Sequence, residues 1–154
     1  MRSPTPLLAR VRHSFRLLNR AIAEGSRRAG LTAQQQGFLL AVAARGGREV
    51  PLSDVRAELL MDQATASELL RKLAHRGLVR TAPGEDRRAI RVTLTPGGRA
   101  TFRTSVAEIG AALRRADERG DLRYLRPSLR EYLGFYDIGT TRSTTRRRSD
   151  EKAD

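Results

Sequence analysis

The chain has no cysteine, which excludes structural disulfides, thiolate metal sites and cysteine-based redox sensing together. Lysine is nearly missing too. Lys72 and Lys152 are the only two, so arginine supplies almost all of the positive charge. Long apolar runs are absent. The longest, residues 38–44, falls far short of the roughly 20 residues a membrane span requires, and it lies too far inside the chain for a signal peptide. Residues 1–20 are poor in acids, as a transit peptide is, but their regular apolar spacing suits a structural helix. The expectation is a cytoplasmic protein with no membrane partner.

Histidine is scarce as well. His13 and His75 fall on different helical segments, and no Ser-His-acid set, carboxylate pair or metal-ligand spacing converges around either. We therefore expect no enzyme, no cofactor and no metal site. His75 reads as an exposed helix residue; His13 reads as structural, or as a sensor facing a dimer crevice.

What is present is charge of one sign. Thirty Lys and Arg against 17 Asp and Glu leave a formal net charge of +13 on 154 residues. Such an excess suits a polyanion, because each cation that neutralises a phosphate releases condensed counterions without any base recognition. Arginine-rich codon usage in a G+C-rich genome is an equally simple source of the same excess. The length supports one domain with a real core, and 39% hydrophobic with 31% charged residues fits a folded chain with a charged surface.

Apolar spacing predicts the elements. Leu8, Val11, Phe15, Leu18 and Ile22 step by three and four along one helix stripe, narrow enough to resemble a helix-pairing seam; Gly25 and Gly30 loosen its far end. Thr32 and Gln35 have the spacing of a capping box at the start of a second helix, which ends at Gly46 and Gly47. Two short helices follow at 52–60 and 63–76, the second capped by Asp62 and stopped by Gly77. Residues 78–82 and 89–95 alternate as strands around the turn Pro83-Gly84-Glu85-Asp86. Thr95 and Pro96 then open a helix whose Phe102, Val106, Ile109 and Leu113 form a second seam. A last helix begins near Asp121 and carries Leu122, Leu125, Leu129, Tyr132, Leu133 and Tyr136, interrupted by Pro127. Residues 137–154 read as a disordered tail, whose Arg146-Arg147-Arg148 suits nonspecific DNA contact.

Two short helices and a hairpin with a charged tip are the parts of a winged helix-turn-helix, in which the second helix enters the major groove. The recognition helix is then 63–76. Its outward residues are Gln63, Thr65, Ser67, Glu68, Arg71 and Lys72, with Ala66, Leu69, Leu70 and Leu73 turned inward. Gln and Arg pair bidentately with adenine and guanine edges, although an amphipathic helix presents a polar face to solvent whether or not it reads DNA. At the hairpin tip Arg87 and Arg88 place guanidinium groups where a minor groove attracts them, and Asp86 would orient Arg88.

The run Asp86-Arg87-Arg88-Ala89-Ile90-Arg91-Val92-Thr93-Leu94-Thr95-Pro96-Gly97-Gly98 resembles the wing signature of the MarR family. Leu31-Thr32-Ala33-Gln34-Gln35 is similar to the family's second-helix opening, and Leu73-Ala74-His75-Arg76-Gly77-Leu78-Val79 to the segment that leaves its recognition helix. The likeness spans residues 7–136. It implies a mainly α protein with a small two-stranded β-wing, a single domain over 1–136 made of a DNA-binding lobe (31–95) and dimerisation helices (7–29 and 96–136), the two seams and the last helix forming the interface. It also implies a homodimer that binds double-stranded DNA at an inverted repeat, acting as a repressor released by a small aromatic or anionic ligand, with Arg88 in the minor groove. Three residues depart from the family pattern: Leu60 where the helix-turn-helix turn usually has glycine, Glu68 where a polar or basic group is common, and Pro127 in the last helix. Two other readings use the same residues: a nonspecific nucleoid-type DNA binder, and a winged-helix module that binds protein.

Overall fold

A computed structural model describes residues 5–86 and 89–119. Five helices and three short strands follow in the order α1 (Thr5–Arg28), α2 (Ala33–Ala43), β1 (Val50–Pro51), α3 (Leu52–Glu58), α4 (Gln63–His75), β2 (Val79–Pro83), β3 (Ile90–Leu94) and α5 (Pro96–Glu118). The expected last helix, Pro127 and the tail at 137–154 lie outside the described residues. Those residues fall into two compact units, 5–21 with 112–119 and 22–111. No helix among them is long and apolar enough to cross a membrane.

The larger unit is built around one apolar cluster. Phe38, Leu39 and Val42 of α2, Val55 of α3, Leu73 of α4, Val50 of β1 and Val92 of β3 are essentially fully buried. Withdrawing side chains of this size from water contributes roughly 1.5–3 kcal/mol each, which is what holds such short helices together. The helix ends follow from their residues. Thr32 accepts from the Gln35 backbone N–H at 3.1 Å while the Gln35 side chain accepts from the Thr32 N–H at 3.0 Å, the reciprocal box expected from their spacing. Thr95 opens α5: its hydroxyl accepts from the Gly98 N–H at 2.9 Å and donates to the Gly77 carbonyl at 2.6 Å.

Three sequence expectations are corrected. The sheet has three strands in the order β1-β3-β2, all antiparallel, because Val50 and Pro51 pair with Val92 and Arg91 on the free edge of the β2–β3 hairpin. A two-residue strand has no alternation to detect. Gly25 does not loosen α1, which runs on to Arg28; a Cβ there would stand only 2.5 Å from the Ile109 backbone nitrogen, so the glycine allows α1 and α5 to approach. Finally, the two seams have different fates. Val106, Ile109 and Leu113 of the second are buried within the chain, and Phe102 packs against the core cluster. The first is partly open, with Leu8 58% and Phe15 50% exposed and Val11, Leu18 and Ile22 half-buried.

Candidate nucleic-acid interface

α4 sorts its residues as the sequence pattern requires. Ala66, Leu69, Leu70 and Leu73 are buried, and this anchors the helix so that the opposite face is solvent-exposed. Gln63, Glu68, Arg71 and Lys72 are exposed, and Thr65 and Ser67 are half-buried. The face is organised by its own hydrogen bonds. The Gln63 amide donates weakly to the Ser67 hydroxyl at 3.4 Å, and the Lys72 ammonium lies 2.7 Å from the Glu68 carboxylate one turn back. Glu68 is thus paired one turn on, and the hydrogen bond and charge of Lys72 draw its carboxyl below the ordinary value.

Asp62 fixes where α4 begins. Its carboxylate accepts from the Thr65 N–H at 2.8 Å and from the Thr65 hydroxyl at 2.7 Å. These bonds, the backbone one first, hold the Asp62 carboxyl below the usual carboxylate range. Thr65 consequently spends its hydroxyl proton on the cap, leaving its methyl and an acceptor lone pair for a ligand. The far end is held by a residue that sequence reasoning passed over. Arg76 donates to the Gly30 carbonyl at 2.9 Å and to Gln35 Oε1 at 3.2 Å, tying the exit of α4 to the α1–α2 junction. Its partners stand 46 and 41 positions away, beyond the reach of any local pattern.

The hairpin closes where Gly84 donates to the Ala89 carbonyl and Ala89 to the Asp86 carbonyl, each at 2.8 Å. Asp86 is exposed at this tip; Arg87 and Arg88 lie outside the described residues. On one face of the hairpin, opposite the buried Val79, Val92 and Leu94, the register sets Arg80 beside Thr93 and Arg91 beside Ala82. These are two further cations, which the strand alternation would have indicated.

In the same unit a cleft of about 330 Å³ separates the end of α2 and the turn at Gly46 and Gly47 from the start of α5. Val42, Leu94 and Phe102 line it, and Arg99 and Arg103 are its two cations.

A helix presenting polar side chains, set behind a turn and followed by an antiparallel hairpin, is the winged helix-turn-helix arrangement, and residues 31–98 match a family model described as a winged helix DNA-binding domain. These residues form a winged helix domain. Among solved structures, MarR from E. coli superposes with a TM-score of 0.66 at 22% identity, over 84% of this chain and 97% of that one. AbsC, a MarR family transcriptional regulator from Streptomyces coelicolor, gives 0.66 at 24% identity over 84% and 92%. The regulator MOSR from M. tuberculosis, solved with DNA, gives 0.58 at 25% identity over 83% and 93%. No curated protein matches the chain in sequence. The chain shares the winged helix fold of the MarR family regulators.

Proposed function

We propose that this protein is a transcriptional regulator that binds as a homodimer to an inverted-repeat operator in the cytoplasm, each protomer placing α4 in a major groove, and that a small aromatic anion releases it. The observation that carries this reading is the two-sided character of α4: four buried apolar residues fix its orientation, while Gln63, Ser67, Arg71 and Lys72 lie on the other side. Gln63 and Arg71 have the hydrogen-bonding forks that read adenine and guanine; Lys72 and the polar hydroxyls suit phosphate and base edges. Arg87 and Arg88 of the wing add minor-groove contact, with Asp86 orienting Arg88.

Dimerisation is supported by the open seam. Leu8 and Phe15 of that stripe are each at least half exposed, and covering such side chains is the main driving force for pairing helices. The effector is assigned to the cleft beside α5, whose apolar lining and two arginines suit an aromatic carboxylate or phenolate. A ligand that prefers a dimer with the wrong helix spacing lowers DNA affinity by its differential affinity for the two states.

The net charge of +13 favours a second reading, a nonspecific DNA-coating protein. Selection of bound duplexes from a random pool, followed by sequencing, separates the two. A regulator enriches an inverted repeat with half-sites about one helical turn apart. A coating protein enriches nothing, and its binding collapses with salt equally on every sequence.

A further inference from the structure

α3 ends in a two-bond turn. Leu60 N–H donates to the Ala57 carbonyl at 3.3 Å and Met61 N–H to the Arg56 carbonyl at 3.0 Å, the paired bonds of a Schellman cap whose central residue must be left-handed. Leu60 obliges, with φ of 51°, and is the only non-glycine with positive φ among the described residues. The ends of α1 and α4 have the same paired bonds with Gly30 and Gly77 at this position. A leucine here strains the backbone, and packing does not compensate, because Leu60 is 93% exposed.

Strain retained without a structural return points to a function for the side chain, and the position says which. Leu60 stands two residues before Asp62, which caps α4, and the first residues of a recognition helix are those that meet base edges. Leucine has neither donor nor acceptor, so it engages only the apolar parts of DNA: the thymine C5-methyl or the C–H face of deoxyribose. A protein partner fits less well. Leu60 is the one exposed large apolar residue between positions 52 and 75, whereas a protein-docking patch spans a few hundred Å² or more.

We propose that Leu60 is an apolar DNA contact at the edge of each half-site, set against a thymine methyl or a sugar. The inference rests on the DNA-binding reading of α4.

The test uses the full chain and the duplex recovered by selection, in its natural form and with single thymines replaced by deoxyuridine, which removes only the methyl. Leu60→Ala should weaken binding about three- to tenfold; its melting temperature shows whether folding is intact. If the methyl is the contact, one deoxyuridine per half-site weakens the wild type by a similar factor and leaves Leu60→Ala indifferent. If the sugar is the contact, Leu60→Ala loses affinity on every duplex and no deoxyuridine matters to that loss. Leu60→Gly, relieved of strain, should be more stable and still bind more weakly. Unchanged affinity in both variants overturns the proposal, and altered transcription at unchanged DNA affinity would reassign Leu60 to a protein partner. A wild type that selects no duplex would instead remove the DNA reading itself.

Discussion

The turn before α4 and the turn after it have the same paired backbone bonds and opposite residues. After α4, Gly77 occupies the left-handed position with φ of 68°, and the chain around it is fastened: the Gly77 carbonyl accepts from the Thr95 hydroxyl, the Leu78 carbonyl from the Thr95 N–H, and Arg76 reaches back to Gly30. Before α4, Leu60 takes that position against its own sterics, and the side chain is left in solvent. The exit of the helix is built for rigidity. Its entrance carries a side chain that rigidity does not need. A helix whose far end is secured in this way can tolerate backbone strain at its entrance.

The sharpest way to break the comparison is to loosen the fastened end. A Cβ at Gly98 would collide with the Leu78 carbonyl oxygen, the atom that accepts from Thr95. Gly98→Ala should therefore destabilise by about 1–3 kcal/mol, read by urea unfolding. Exchanging the two turn residues is the next largest effect. Leucine in the left-handed region costs about 1–2 kcal/mol, and glycine's extra chain entropy opposes this by about 0.5–1 kcal/mol. Leu60→Gly should thus stabilise, and Gly77→Leu destabilise, each by about 0.5–1 kcal/mol net. The double exchange should unfold near the wild-type midpoint.

Two smaller effects concern the cap and the reading face of α4, just C-terminal to Leu60. Glu68→Gln frees Lys72 and removes a negative charge from the reading face, so affinity for random duplex should rise while preference for the operator falls, by about tenfold where the carboxylate reads a cytosine. An unchanged preference ratio in competition titrations would remove Glu68 from specificity. Asp62→Ala should lower the melting temperature at pH 7, where the cap is ionised. Because the folded carboxyl titrates below its ordinary value, the cap's contribution is full above the unfolded pKa of about 3.9 and fades as pH falls through the folded one. The melting difference between wild type and variant should shrink over that acid range.

Much of the fold is legible in the sequence because it is local. The capping box at Thr32 and Gln35, the Asp62 cap, the stop at Gly77 and the inward set Ala66, Leu69, Leu70 and Leu73 all depend on spacings of a few residues. The features that escape are those local spacing does not encode. β1 is too short to alternate, and its partner lies some forty residues on. The Arg76 tether joins segments that only the fold brings together. The second seam looks free for a partner because helical periodicity reports an apolar face without saying which surface covers it. Leu60 lies between these cases. Its departure from glycine stands in the sequence, but the left-handed backbone and the exposed side chain are properties of the fold.

In the proposed complex two α4 helices, linked through one dimer, read two half-sites in register. The most direct test of this arrangement is the affinity for the selected operator after five base pairs, about half a helical turn, are inserted between the half-sites. The dimeric reading predicts that affinity falls toward that of random DNA, because the second helix then faces the wrong side of the duplex. Affinity that survives the insertion would contradict it.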